Sequence, residues 1–275
     1  MKKKILSFIL TALLPAIAFS AAAQINRYEL KVGDFTQLNV VDGINVEYKC
    51  NDDSAGLAVY ETSRQIADQL IFDSSKKGEL KIEKQFHGEG ELVYDLPIVR
   101  VYSKFLVRAE NAGDSTLRVL TVAKVPKFRA KVIGNGTIVV RNIECGEFDG
   151  SISTGNGQLV VTGKCDKAIL NNTGKGNIQA DGLEAKMASC RFFGPGTTGV
   201  WAVDELVVKG MFPGKLYYKG TPKKLRNFSM GPKIFPLDDP TAGSLRDSLH
   251  GSKVSGTAGK VVTKEETHEA EAHQE

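Results

Sequence analysis

The chain has 275 residues, of which 41% are hydrophobic, and a formal net charge of +4. Three of the positive charges are lysines at the extreme N-terminus, and the body between residues 24 and 238 carries about +4. A charge so small and dispersed excludes an electrostatic footprint for nucleic acid.

The N-terminal segment has the composition of a secretory signal. Three lysines precede an apolar run over residues 5–19, and small residues follow at positions 21–23. The run is shorter than the roughly 20 apolar residues that span a bilayer, and Pro15 interrupts it. We therefore expect cleavage after Ala23 and export of a protein that is not integral to the membrane.

Residues 24–127 predict the first, less regular part of an all-β domain. Alternating apolar residues indicate short strands over residues 38–40, 44–46, 80–82 and 117–119. One segment after Ser63 has Ile66 and Leu70 four apart, which is typical of a helix, although a strand-linking loop is the alternative. The stretch that begins at His87 predicts an exposed loop.

Residues 128–238 contain a repeat of about twenty residues, marked by pairs of glycines. The pairs are Gly134 and Gly136, Gly155 and Gly157, Gly174 and Gly176, and Gly194 and Gly196. A period in this range is typical of a solenoid, so we predict a parallel β-helix-like fold with coils of about twenty residues. The alternative is an antiparallel β-sandwich.

Two columns of apolar residues recur with this period. Ile138, Leu159 and Ile178 follow the glycine pairs at the same distance, which predicts that they stack inside the coils. The second predicted column is Phe128, Phe148, Ile169 and Met187. Stacked coils would place such residues at the strand spacing of about 4.8 Å.

The glycines could instead belong to a loop that binds a phosphate. Such a loop needs a helix after the glycines, but apolar and polar residues alternate after Gly157, as in a strand. The calcium-binding nonapeptide needs an acidic residue after its glycines, and Thr137 and Gln158 stand there instead. The glycines are therefore interpreted as the turns between coils.

Four cysteines, at positions 50, 145, 165 and 190, form no Cys-x-x-Cys pair. This spacing favours neither zinc binding nor redox catalysis, and small buried residues are the preferred interpretation. Cys145 and Cys165 are one repeat apart, so we expect stacked thiols on neighbouring coils. A disulfide would require the two Cβ atoms to approach within about 4.5 Å.

The fourth coil predicts an outward aromatic group. A two-residue insertion after Gly194 would point Val200 and Ala202 inward and align Trp201 with Val139, Val160 and Gln179 on the outer face. The candidate binding residues are Trp201, Phe192, Phe193, Phe212, Tyr217 and Tyr218. Coverage of the open solenoid end, or packing, is the first interpretation; a surface for a glycan or a partner, or a dimer contact, is the other.

No coherent catalytic or metal site is visible. Asp149, Asp166 and Asp181 could line one edge of the coils, but solvated turn residues are the preferred interpretation. His268 and His273 are five apart and lack the helical spacing of a zinc pair. They lie in residues 239–275, whose polar composition predicts a disordered tail. We predict no catalytic residues, no metal and no cofactor.

Two flanking motifs complete the pattern. Gly43-Ile44-Asn45 lies in the alternating segment 35–49, and residues 214–222 contain a Gly, Tyr, Gly and Pro series. With the glycine repeat between them, residues 30–235 resemble the head GIN domain family of auto-transporter adhesins, which is common in Bacteroidetes. The resemblance implies a β-helix-like protein of the Gram-negative cell envelope and brings no catalytic residues.

We therefore predict an exported, non-catalytic module that binds or adheres to glycans or envelope partners, in the periplasm or at the cell surface. The alternative is a passive or self-associating structural envelope protein, which could be a homo-oligomer. A polysaccharide-active enzyme on a β-helix is the least favoured prediction, because such chemistry needs paired carboxylates.

Overall fold

The computed structural model describes residues 25–85 and 96–237, and in this range the chain is almost entirely β. The predicted signal segment, the predicted loop at His87 and the predicted tail after residue 238 lie outside the described residues. The single helix in the described range is α1 (Arg64–Ala67). The strands are β1 (Asn26–Lys31), β2 (Gln37–Val40), β3 (Val46–Cys50), β4 (Leu57–Thr62), β5 (Leu70–Asp73), β6 (Glu79–Lys84), β7 (Val99–Ser103), β8 (Arg108–Asn111), β9 (Thr116–Thr121), β10 (Val125–Val132), β11 (Thr137–Ile152), β12 (Gln158–Asn172), β13 (Asn177–Phe192), β14 (Thr197–Gly210), β15 (Lys215–Lys219), β16 (Lys224–Ser229) and β17 (Lys233–Pro236).

The strands form a curled sheet of parallel, stacked coils, which confirms the predicted solenoid. Each of β11, β12 and β13 makes one long coil and pairs in parallel with the next. Every coil bends within its strand, at register shifts such as the one between Val140 and Ile143. The two sides of a coil therefore face each other across a shared interior.

The first predicted column is confirmed. Ile138, Leu159 and Ile178 are register partners on β11, β12 and β13, and none exposes any surface. The column extends to Leu117 on β9 and to Thr198 on β14. Burial of each large aliphatic side chain contributes about 1.5–3 kcal/mol to folding.

The second predicted column is wrong beyond its first two members. Phe128 and Phe148 are stacked, with ring centroids 6.2 Å apart, but the next inward residues are Ala168 and Ala188. Ile169 is half-buried, and the side chain of Met187 is exposed. The volume of an inward residue depends on the opposite side of the coil, so a small alanine can hold a position where the sequence pattern suggests a large residue.

The glycine pairs are the turns between coils, as predicted. Gly155 has a φ of +74°, a backbone angle that residues with a side chain rarely adopt. Gly174 has no such angle, but a Cβ there would lie 2.6 Å from the carbonyl oxygen of Gly155 in the coil before. Successive turns stack so closely that only glycine fits. No helix follows these glycines in the described residues.

The N-terminal coils do not follow chain order. Strand β2 lies between β6 and β8, and β3 lies between β7 and β9, all in parallel. Antiparallel pairs β1–β4, β4–β7 and β5–β6 flank this region. Helix α1 begins after Ser63, as the helical alternative predicts, but it spans only one turn and Ser63 makes no side-chain cap. The expected helical pairing of Ile66 with Leu70 is wrong, because Leu70 begins strand β5.

The fourth coil differs from its prediction. Val200 and Ala202 do point inward, but there is no insertion at the turn, because Thr197 and Thr198 pair directly with Asn177 and Ile178. Strand β14 is instead shorter than β13 at the bend of the coil. Trp201 is consequently the partner of Glu184 and does not align with Gln179.

The last coil consists of β15, β16 and β17. Strand β16 pairs with β14, and β17 pairs with β15. Tyr217 is fully buried and stacks on Phe235 at 5.4 Å, in a small cluster with Leu237 that is separate from the main core. No helix in the described residues is long and apolar enough to cross a membrane.

Candidate functional site

The structure places the predicted aromatic residues in different environments. Phe192 and Tyr217 are fully buried, so the expectation that they form an exposed surface is wrong. Phe192 points into the main core, whereas Tyr217 lies on the opposite face of β15 and is covered by Phe235 and Leu237. Tyr218 is half-buried and packs against the main core. Phe193 and Phe212 are exposed, and Trp201 lies at a different bend of the coil.

Trp201 is half-buried and held by the next coil. The Nζ atom of Lys219 lies 3.9 Å from the centre of its ring, and the backbone of Gly220 lies close beside the indole. A lysine over a tryptophan ring forms a cation–π contact, which stabilises the side chain in place. Trp201 therefore has a packing role, with part of its ring left at the surface.

A second set of large apolar side chains forms a continuous exposed surface. It consists of Phe193, Met211, Phe212, Phe228 and Met230, whose exposed fractions run from 52% at Phe212 to 90% at Met230. We call these five residues the corner patch. Soluble proteins rarely expose contiguous apolar surface of this kind unless it binds something.

The strand register explains the continuity of the corner patch. Phe192, Gly210 and Ser229 are register partners, so Phe193, Met211 and Met230 follow one another at the same turn of three consecutive coils. Ser153 and Thr173 hold this position in the two preceding coils, as the ladder hydrogen bonds at each turn show. The surface thus changes from polar to apolar along one corner of the solenoid.

Two of these patch residues were candidates from the sequence, and three were not. Phe193 and Phe212 stand out as aromatic residues, whereas Met211, Phe228 and Met230 do not. A signal for two of the missed residues, Met211 and Met230, exists in the repeat itself. Phe193 and Met230 are each followed by Gly-Pro, and Met211 by Phe-Pro-Gly, at corresponding places in the three coils.

A groove of about 460 Å³ lies on the patch. Arg191 and Lys209 line it together with Phe193, Met211 and Phe212. Arg191 and Lys209 are register partners on β13 and β14, so two cations stand side by side along its wall. Within residues 25–85 and 96–237 neither side chain has an ion-pair partner.

The stacked cysteines lie beside another groove of about 540 Å³. Cys145 and Cys165 are register partners, which confirms the predicted stacking, and all four cysteines are free thiols. A hydrogen bond from the Cys165 thiol lowers the pKa of Cys145, while its position as donor raises the pKa of Cys165. Charged residues on the rim of this groove pair with one another, such as Lys186 with Asp166 at 2.7 Å.

The acidic residues that could have formed a catalytic edge lie apart. Asp149 faces Arg129 at 3.7 Å, Asp166 pairs with Lys186 at a bend, and Asp181 lies near Gly199. The register places them in three different columns. The described part of the chain contains no group of three or more histidine, cysteine or acidic residues that could hold a metal ion.

Comparisons with known proteins agree with this architecture. A family model described as "Putative auto-transporter adhesin, head GIN domain" matches residues 34–222. None of the curated proteins compared with the chain matches it.

Several solved structures have the same fold. A putative adhesin from Bacteroides fragilis has a TM-score of 0.68 and 17% identity, covering 78% of this chain and 96% of that one. A putative lipid binding protein from Parabacteroides distasonis has a TM-score of 0.61 and 21% identity, covering 78% and 97%. A putative adhesin from the same species has a TM-score of 0.62 and 19% identity, covering 78% and 98%.

The names of the family and of these neighbours describe adhesins and a lipid-binding protein, not enzymes. They support a binding role, and an adhesin family fits an exported or surface protein.

Proposed function

Because this chain belongs to the head GIN domain family, we propose that it is an exported, non-catalytic module that binds an envelope component, in the periplasm or at the cell surface. Glycans, envelope proteins and lipids are the candidate ligands of such a module. The neighbour named as a lipid-binding protein adds the last class to the first two.

The observation that supports this proposal most is the corner patch. Its five side chains project from a rigid solenoid corner, where the earlier coils have serine and threonine. Apolar side chains that remain in water contribute no hydrophobic stabilisation to the folded state. A bound partner that covers them is therefore the physical reason for their presence at the surface. The charged residues around the groove beside the cysteines, in contrast, are paired with one another.

The test uses the mature chain expected from the sequence, residues 24–275, and isolated envelope fragments. A variant with Phe193→Ser and Phe212→Ser should lose most of its retention on the fragments, at least about tenfold, because two aromatic contacts are removed. The matched control is Ile98→Ser with Phe105→Ser, which removes two apolar side chains that are 42% and 45% exposed elsewhere on the protein.

Trp201→Ala separates the two candidate surfaces. Loss of retention in this variant alone would place the binding surface at the other bend and leave the patch without a role. Retention that neither set of variants changes would contradict the proposal. A concentration-dependent dimer of the unaltered chain, abolished by the Phe193 and Phe212 variants, would instead support the self-associating structural protein.

A further inference from the structure

The cations around the corner patch differ from the basic residues that form ion pairs along the ladders. On the ladders, lysines and arginines face carboxylates of the neighbouring coil: Lys127 and Lys167 both contact Glu147, and Arg226 contacts Glu205. Arg191 instead has Lys209 as its register partner. Like charges at the ladder spacing of about 4.8 Å repel each other, so this arrangement costs stability until an anion approaches.

A second pair of cations lies on the other side of the patch. Lys215 and Lys233 are exposed register partners on β15 and β17, directly after the turns that carry Met211, Phe212 and Met230. The sequence from residue 206 to residue 219 contains no acidic residue, nor does the sequence from 224 to 237. The patch is therefore an apolar row with cations on both sides and no nearby carboxylate along these segments.

This arrangement fits an interface between water and lipid. Apolar side chains that project from a corner can enter the acyl region, while lysine and arginine beside them reach the phosphate groups. Each basic residue near an anionic leaflet contributes an attraction that falls off within a Debye length. The row extends over three coils along the side of the solenoid, whereas a cover for the open end would be confined to the last coil.

We propose that the corner patch docks on the surface of an anionic phospholipid bilayer, with Phe193, Met211, Phe212, Phe228 and Met230 entering the leaflet and Arg191, Lys209, Lys215 and Lys233 contacting lipid phosphates. This inference rests on the proposed function and names the ligand class of the same surface. The solenoid then contacts the membrane through the one corner that carries the patch.

The test is flotation of residues 24–275 with vesicles of phosphatidylcholine alone and of phosphatidylcholine mixed with phosphatidylglycerol. We expect binding to the acidic vesicles that weakens as salt is raised. Arg191→Gln with Lys209→Gln should weaken the partition coefficient by about 25-fold. Phe193→Ser with Phe212→Ser should weaken it by at least about tenfold.

The controls remove the same groups from other places. Lys49→Gln with Lys77→Gln removes two exposed positive charges, and Ile98→Ser with Phe105→Ser removes two exposed apolar side chains. Both should bind like the unaltered chain. Circular dichroism of each variant checks that the coils remain folded.

Three results would overturn the docking proposal. The first is equal binding to neutral and acidic vesicles, and the second is an equal loss in the controls. The third is no binding to vesicles while envelope fragments still retain the chain through Phe193 and Phe212, which would leave the proposed function standing with a glycan or protein as ligand. Failure with both vesicles and fragments would remove both proposals.

Discussion

The four cysteines show how one residue type has different chemistry at different places in a solenoid. Cys190 is fully buried in the interior, and this burial raises the pKa of its thiol to about 12. Cys145 accepts a hydrogen bond from Cys165 beside an open groove, and its pKa is lowered. Because the thiolate is the reactive form, the two sites should differ in reactivity.

We predict that iodoacetamide modifies Cys145 in the folded protein at least about ten times faster than Cys190. Cys165→Ala removes the hydrogen-bond donor and should slow the modification of Cys145. Peptide mass mapping over a time course measures both rates, and unfolded protein, in which the cysteines react alike, is the control. Equal rates for Cys145 and Cys190 in the folded state would contradict the prediction.

The corner patch shows what the sequence reveals at the residue scale and what it does not. Phe193 and Phe212 were visible as candidates because aromatic residues next to glycine turns are conspicuous. Phe192 and Tyr217 were equally conspicuous, yet they are buried. Phe192 differs from Phe193 by a single step of strand alternation, which depends on where the strand ends and not on residue type. Tyr217 is buried because Phe235 and Leu237 cover it.

At the scale of the strand, buried asparagines connect one coil to the next. The Nδ2 atom of Asn172 donates to the carbonyl oxygens of Gly176 at 3.0 Å and Thr197 at 3.1 Å. Asn111 makes the same pair of contacts with Ser115 and Thr137. Each asparagine thus binds its own turn and the first residue of the strand in the following coil.

Asn172→Leu should lower the free energy of unfolding by about 1–3 kcal/mol, because two buried carbonyl groups lose a donor. The control is Asn171→Leu, at a half-buried outward position, which should change stability by less than about 0.5 kcal/mol. Urea denaturation of the three proteins measures the difference. Equal stabilities of Asn172→Leu and the unaltered chain would show that the contacts between coils carry little energy.

The charged ladder on the outer face predicts a pH dependence. Glu147 accepts hydrogen bonds from Lys127 at 2.6 Å and Lys167 at 2.9 Å, and these contacts, chiefly that of Lys127, lower its pKa. A carboxylate with a lowered pKa stabilises the fold above the unfolded value of about 4.3 and loses that effect as the pH falls through its folded pKa.

Glu147→Gln should therefore cost about 0.5–1 kcal/mol at neutral pH, as partly exposed ion pairs do, and progressively less below about pH 4. Glu61→Gln, at an exposed position on β4, should cost less at every pH. Thermal unfolding across this pH range provides the comparison. A cost that stays constant with pH would mean that the ladder acts through packing alone.

The coils of residues 128–238 could be predicted from the sequence, and their bends could not. Glycine spacing and alternation sufficed for Ile138, Leu159 and Ile178, because these residues lie in straight segments at a fixed distance from a turn. The column after Phe148 and the position of Trp201 were wrong because the register shifts at the bends. The number of residues at a bend varies from coil to coil, and the periodic pattern of the sequence does not indicate that number.

At the scale of the molecule, the order of the N-terminal coils was also beyond sequence analysis. Strands β2 and β3 precede β6 and β7 in the chain but lie between them and β8 and β9 in the solenoid. Such an order depends on contacts between segments distant in sequence, and alternation within each strand carries no information about them. The outcome is one hydrophobic core that extends without a break from Val32 to Leu216.

A continuous core predicts a single cooperative unfolding transition. Solenoid stability depends on the interface between neighbouring coils, so a weak interface would let the two ends unfold separately. Trp201, the only tryptophan, reports on the C-terminal coils by fluorescence, whereas far-ultraviolet circular dichroism reports on all strands. We expect both signals to change at the same urea concentration.

Leu159→Ala, at a fully buried position in a central coil, should lower the free energy of unfolding by about 2–5 kcal/mol and move both transitions together. If the fluorescence transition stayed in place while the circular dichroism transition moved, the C-terminal coils would form a separate unit, and the corner patch would stand on a part of the molecule that can open independently.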